Sequence, residues 1–260
     1  MSSTASAPLV DELATRLADA ERERRAIPQL VADHPDLDVQ TAYAVQRIGF
    51  QRRLDGGDRV LGYKLGLTSR AKQEAMGVSD PLSGRLATSM LMAEEEPLAV
   101  DGLIHPRAEP ELVFLLGEDL EGPGVSVARV LSATEGILPG LEILDSRYED
   151  FKFTLPDVVA DNASAAKVLV GGRLVSPDRF DSRLEGMVLR AGGDVVATAA
   201  GAAVSSHPAA AVAWLVNSLG RVEAGSLVFS GGLTAPVPLR PGTTVTAEYT
   251  HLGSITVRAV

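Results

Sequence analysis

Glu109 and Glu111 are the residues whose types and spacing point first to chemistry. They lie in His105-Pro106-Arg107-Ala108-Glu109-Pro110-Glu111, which runs into Leu-Val-Phe-Leu-Leu. Side chains two apart on a strand share a face, so the two carboxylates project together, and Val113 and Leu115 carry that face on into apolar core. Carboxylates entering a buried face repel one another and lose hydration, and a divalent cation would relieve both costs. A third acid, Glu142, stands between Leu141 and Ile143 in the segment from Pro139 to Asp145. Three carboxylates without cysteine or a paired histidine specify a hard cation such as Mg²⁺ or Mn²⁺. The same spacing also fits solvent-facing strand glutamates, or acids paired with Arg107 and Arg147, and the sequence leaves that alternative open.

Lys64 is the next candidate. It sits in Gly62-Tyr63-Lys64-Leu65-Gly66-Leu67-Thr68-Ser69, with a glycine two positions away on either side. The missing side chains leave open space around the ammonium, which suits a small anionic ligand. An edge-strand lysine that guards against aggregation is the plainer reading. Two polar turns, Ala160–Ser164 and Ser230–Thr234, follow apolar stretches, and the Gly231-Gly232 pair can offer backbone N–H groups to a carboxylate. Other templates fail. His34, His105, His207 and His251 are scattered, and the chain has neither a Gly-x-Ser-x-Gly elbow nor a Walker loop.

The elements that must position these residues follow from periodicity. Val10, Leu13 and Leu17 predict a helix over 9–25, ended by Pro28, and a second helix runs from the N-cap Asp38 to Leu54. From Val60 the period becomes two: Leu61, Tyr63, Leu65 and Leu67 point one way, Gly62, Lys64 and Gly66 the other. A short helix from Ser69 to Met76 closes at Gly77. Strands are expected at 109–116, 139–145, 167–170, 186–199, 226–230, 243–250 and 254–259. Helices are expected at 126–135 and 207–219, the latter with Ser206 as N-cap and Pro208 in its first turn. Strands and helices do not alternate regularly, which argues against a doubly wound sheet. The class is α+β, dominated by β.

Composition sets outer bounds. The chain has 260 residues and a formal net charge of −10, with no Lys/Arg cluster to offset it, so nucleic acid is not an expected partner. Absence of cysteine excludes thiol nucleophiles, thiolate metal sites and disulfides, and fits a reducing cytosol. The N-terminal residues lack a basic and an apolar signal region, and no apolar run approaches a membrane span, so a cytoplasmic protein with no membrane partner is expected.

Taken in order, Gly62–Ser69, Glu109-x-Glu111, Glu142 with Asp145-Ser146-Arg147, Asp161–Ser164 and Gly231–Thr234 resemble the signatures of one group of the fumarylacetoacetase-like superfamily. The group comprises the 2-keto-4-pentenoate hydratases and 4-oxalocrotonate decarboxylases of meta-cleavage aromatic degradation. The resemblance runs from about residue 25 to the C-terminus. Ser146–Phe153, and Ile104-His105-Pro106 with Leu120–Gly124, look like the decarboxylase branch. Ser79 stands where some hydratases carry an acid.

The resemblance implies a fumarylacetoacetase-like mixed β-roll with N-terminal helices. It divides the chain into an N-terminal helical cap with the first active-site strand (1–83) and a catalytic β domain (84–260). It implies Mg²⁺ or Mn²⁺ held by Glu109, Glu111 and Glu142, a catalytic Lys64, and Leu65, Ser164 and Thr234 against substrate. The implied activity is decarboxylation of 2-oxohex-3-enedioate, a small 2-oxo dicarboxylic acid, to 2-hydroxypenta-2,4-dienoate. The alternatives are hydration of that dienoate, or an inactive subunit stabilising such a hydratase. A homo-oligomer, and a complex with the pathway hydratase, are the protein partners it allows.

Overall fold

Leu13 and Leu17, one helical turn apart, are both buried along the first helix, α1 (Ala7–Glu23), which closes where Arg24 turns into the left-handed region. The structure, a computed structural model, describes residues 6–260 apart from the side chains of Lys72 and Ala75. A short helix α2 (Leu30–Asp33) leads to α3 (Val39–Asp55), whose N-cap Asp38 accepts the Thr41 N–H at 2.8 Å as its sequence predicts. The strand β1 (Val60–Gly66), the helix α4 (Arg70–Met76) and the strand β2 (Leu82–Ala87) follow. Then come β3 (Arg107–Leu116), β4 (Leu120–Glu121), α5 (Val127–Ala133), β5 (Thr134–Leu144), α6 (Leu155–Ala160) and β6 (Ala165–Val170). The C-terminal part holds β7 (Gly186–Ala191), β8 (Asp194–Ala200), α7 (Pro208–Leu219), β9 (Arg221–Val222), β10 (Leu227–Phe229), β11 (Val237–Pro238), β12 (Thr244–Tyr249) and β13 (Gly253–Arg258). Among the described residues no helix is long and apolar enough to cross a membrane.

A seven-stranded sheet runs in the order β2-β1-β10-β3-β5-β6, with β11 pairing to β3 beyond the end of β10. The β1–β10 pair is parallel and its neighbours are antiparallel, so the sheet is mixed. A second, antiparallel sheet runs β13-β12-β7-β8, and β4 pairs with β9. One face of the large sheet, through Leu65, Leu112, Phe114, Leu141, Ile143 and Leu169, packs into the main core together with the second sheet. On the opposite face Val113, Leu138, Val168 and Phe229 form a smaller core with Phe50 of α3. The helices α1, α3 and α6 close over this face through Leu13, Leu17, Val45, Val158 and Val159. Buried Gln46 of α3 ties the cover down, donating to the carbonyls of Ser83 (3.0 Å) and Val159 (2.9 Å).

Several boundaries differ from the periodicity reading, each for a local reason. The expected strand 186–199 is a hairpin of β7 and β8, because Gly192 and Gly193 both take positive φ. The last long helix is capped by His207, whose Nδ1 accepts the Ala209 N–H at 3.1 Å. Ser206 has φ 61° and lacks the extended backbone that an N-cap needs. The helix α5 stops at Ala133 because Thr134 opens β5, five residues before the expected start at 139. Neither β2 nor α6 was predicted. β2 is buried along nearly its whole length and so carries no alternation, and α6 has only six residues.

Candidate active site

Register brings the three glutamates together. Glu109 is directly opposite Glu142 across the β3–β5 ladder, and Glu111 is opposite Gly140. All three side chains are buried, and one carboxylate oxygen from each lies within 4.8 Å of the others. They are not solvent-facing. Nor do they pair with Arg147, which forms a buried ion pair with Asp161 and donates to the Asp145 carbonyl at 2.6 Å. Lys64 sits within the sheet between β2 and β10, not on an edge, and its Nζ stands 2.9 Å from Glu142 Oε2. The same ammonium donates to the Ala163 carbonyl at 2.9 Å.

Charge at this place is unbalanced, with three acids against one described lysine in direct contact. Burial pushes the Glu111 carboxyl well above the usual range, and the charges of Glu142 and Glu109 push it further. Burial also raises Glu142, against the pull of Lys64. For Lys64 burial acts downward, but Glu142, Glu111 and Glu109 outweigh it and hold the ammonium above its ordinary value. Glu111 Oε1 and Glu142 Oε1 are buried without a hydrogen-bond donor, while Glu142 Oε2 has the Lys64 ammonium. Three buried oxygen donors, two of them with orphaned atoms, fit a small hard divalent cation and give no soft ligand for another kind of metal.

Two glycines make the room: Gly84, which the sequence did not single out, and Gly232 of the turn that it did. A Cβ on Gly84 would stand 2.9 Å from Lys64 Cδ and 2.6 Å from the Asn162 carbonyl, so β2 must be bare where the lysine crosses it. A Cβ on Gly232 would stand 2.2 Å from the Glu109 carboxyl carbon. The Gly231 N–H donates to Glu111 Oε2 at 2.6 Å.

Ser164 is held in an unusual turn. Asn162, Ala163 and Ser164 have φ of 50, 55 and 58°, three successive non-glycine residues in the left-handed region. Each costs about 1–2 kcal/mol, so neighbours must enforce the shape. Asn162 does so by bonding both the N–H and the carbonyl of Arg85 (2.8 and 2.9 Å), and Lys64 does so through Ala163.

Lys64, Glu109, Ser164 and Gly232 line one cavity of about 490 Å³, whose remaining wall includes Leu67, Met76, Val158, Phe151 and Phe153. Not every sequence candidate reaches it. The Leu65 side chain points to the opposite face, into the main core. Thr234 lies between Gly232 and Pro236, which line the cavity, and its hydroxyl donates to the Ala235 carbonyl at 3.1 Å. Tyr148 is fully buried beneath the helical cover, donating to the Asp157 carbonyl at 3.0 Å, and Ser79 is exposed, bonded to Asp80.

Residues 69–260 match the C-terminal model of the fumarylacetoacetate (FAA) hydrolase family, and the chain belongs to that family. Among characterised relatives, it is 40% identical over 252 residues to a 4-oxalocrotonate decarboxylase of Pseudomonas sp. (strain CF600), covering 95% of this chain and 96% of that one. It is 36% identical to the 2-oxo-hept-4-ene-1,7-dioate hydratase of Escherichia coli over 258 residues, 95% of this chain and 97% of the other. Among solved structures it resembles the 4-oxalocrotonate decarboxylase from Pseudomonas putida G7 complexed with magnesium and adipate. The TM-score there is 0.95 at 38% identity, over 99% of both chains.

Proposed function

We propose that this protein is a magnesium-dependent carboxy-lyase that converts 2-oxohex-3-enedioate to 2-hydroxypenta-2,4-dienoate and CO₂. The observation that carries the reading is one cavity that joins a buried three-carboxylate cluster to an apolar wall: Glu109 and Lys64 line it together with Phe151, Phe153 and Val158. The similarity to two 4-oxalocrotonate decarboxylases at 38–40% identity supports the same chemistry.

In this reading Glu109, Glu111 and Glu142 hold Mg²⁺. When bound, the ion supplies Lewis acidity toward the substrate's 1-carboxylate and 2-oxo oxygen. The protein's part is orientation, exclusion of water and proton supply. As the C5–C6 bond breaks, its electron pair forms the C4=C5 bond, the C3=C4 pair shifts to C2=C3, and charge arrives on the 2-oxo oxygen. Carbon 6 leaves as CO₂. One proton is then needed at that oxygen, and Lys64 Nζ, held protonated by the surrounding acids, is the group we assign to supply it. Ser164, fixed in its turn, helps to orient the substrate from the cavity wall. The apolar wall favours loss of a charged carboxylate as a neutral molecule.

Hydration of the dienoate is the competing reaction and would need a spare acid or base to activate water at the far end. Among the described residues lining the cavity, Glu109 is the one carboxylate, and the reading commits it to the metal. Product analysis with purified protein, Mg²⁺ and both substrates tests the choice. CO₂ release from the dicarboxylic acid is expected, with little water addition to the monocarboxylic dienol; the opposite pattern reverses it.

The same reading includes a cytoplasmic location and self-association. The edge strand β8 exposes Val195 and Val196 to about half their surface (52% and 49%), which supports contact with a second copy. Light scattering on the purified protein, alone and mixed with a pathway hydratase, measures both kinds of assembly.

A further inference from the structure

Three described cations line the cavity, and two are spoken for. Lys64 is held by Glu142 and the Ala163 carbonyl, and Lys152 pairs with Asp150 at 3.1 Å at the exposed mouth. Arg107 is different. Among the described residues its guanidinium has no carboxylate within ion-pair distance and no side-chain hydrogen bond, yet its carbon lies 3.9 Å from the centroid of the Phe151 ring.

The ring is held firmly. His105 flanks it at 5.1 Å and Phe153 at 5.9 Å between centroids. Its backbone is strained into the left-handed region at φ 59°, next to Asp150 at φ 57°. A bulky aromatic kept in that conformation marks a segment shaped by its surroundings, as at ligand clamps. A guanidinium carbon this close to a ring centroid is held there by cation–π attraction, which leaves its fork of N–H donors for another partner. That fork matches the two oxygens of a carboxylate.

Position agrees with orientation. Arg107 is on the same face of β3 as Glu109 and Glu111, two residues toward the mouth, or about 6.6 Å along the strand. A six-carbon chain anchored by its 2-oxo acid end at the glutamates spans a comparable length. We infer that Arg107, held against Phe151, binds the second carboxylate of the substrate and selects dicarboxylic over monocarboxylic 2-oxo acids. The inference rests on the substrate class proposed above.

The chemistry fixes which kinetic constant should respond. The carboxylate bound by Arg107 is the one that loses its charge as CO₂ forms, so the contact is strongest before the bond breaks. An interaction made in the ground state and lost in the transition state serves binding rather than the chemical step. Arg107 is thus a specificity residue whose loss raises KM far more than it lowers kcat.

The test is binding of two non-reactive probes, adipate and pentanoate, to the Mg²⁺-loaded protein by calorimetry. The wild type should prefer adipate. Arg107→Gln should weaken adipate by on the order of tenfold to a hundredfold while leaving pentanoate within about twofold. In turnover, KM should rise by a similar factor while kcat holds or rises, so that kcat/KM changes far less. If Arg107→Gln does not fold, Arg107→Lys, which keeps the charge without the fork, and Phe151→Leu, which removes the platform, report the same preference. Wild-type adipate affinity in the variants, or equal loss of both probes, overturns the inference. Because binding needs no turnover, a wild type that prefers adipate through Arg107 but releases no CO₂ would sink the decarboxylase reading and leave this one standing.

Discussion

Replacing Gly232 by alanine tests the metal cradle with a single methyl group. The new Cβ would stand 2.2 Å from the Glu109 carboxyl carbon and 2.4 and 2.6 Å from its oxygens, where ordinary contact begins at 3.4 Å. The carboxylate must therefore retreat by about 1 Å. A Mg²⁺–oxygen bond is about 2.1 Å long and tolerates roughly 0.2 Å, so a shift of that size removes Glu109 as a ligand. Affinity for Mg²⁺ should fall by at least about tenfold to a hundredfold, with kcat/KM following at sub-saturating metal. The fold should be nearly indifferent. Gly232 does not occupy the left-handed region, and what moves is the tip of a side chain, so stability in EDTA should change by less than about 1 kcal/mol. Gly231→Ala is the contrasting control. There φ is 112° and a Cβ would meet the Thr68 hydroxyl at 2.2 Å, so that variant should lose stability with or without metal. Calorimetric titration of chelator-stripped Gly232→Ala with Mg²⁺, beside its melting curve in EDTA, is the assay. A Kd within twofold of wild type and full activity would refute the cradle.

Exhaustive chelation should abolish CO₂ release, and Mg²⁺ or Mn²⁺ should restore it; full turnover by metal-free protein would remove the three glutamates from the mechanism. Lys64→Met leaves the acid cluster without its ammonium, so the metal-free variant should lose about 3 kcal/mol of stability in denaturant titrations, most of it regained with Mg²⁺. Its kcat/KM should drop at least about a hundredfold even when metal is saturating, and a wild-type value would make the lysine purely structural. Tyr148→Phe removes a buried hydroxyl bonded to the Asp157 carbonyl and should cost about 1 kcal/mol in thermal melts while kcat/KM stays at the wild-type value.

The glutamates were legible because strand parity is local: Glu109 and Glu111 share a face in any register. That Glu142 lies opposite Glu109, and not two residues further along, depends on the β3–β5 register, which no window of one strand contains. Lys64 shows the same division. Its flanking glycines marked it, but Gly84, the residue that lets it cross β2, lies on a strand without readable period. Leu65 was carried along by its neighbour, although alternation points it into the opposite core. Tyr148, Phe151 and Phe153 lie close in sequence, yet Tyr148 is buried in the cover while Phe151 and Phe153 line the cavity, after left-handed backbone at Asp150 and Phe151 that no periodicity signals.

The large sheet has a two-sided character with an evolutionary consequence. On β3 and β5 the acids alternate with Pro110, Leu112, Leu141 and Ile143, which face the other way, so mutation can explore one side while the other keeps the protein folded. Part of the cavity comes from elsewhere: Leu67 and Met76 before and at the end of α4, Phe151 and Phe153 before α6, and Pro236 before β11. These connecting segments can be exchanged without touching a glutamate or a core leucine. A lineage that keeps its cation and its acid-binding end can thus acquire new substrates by rewriting three loops, and descendants of one scaffold need only differ there to differ in trade.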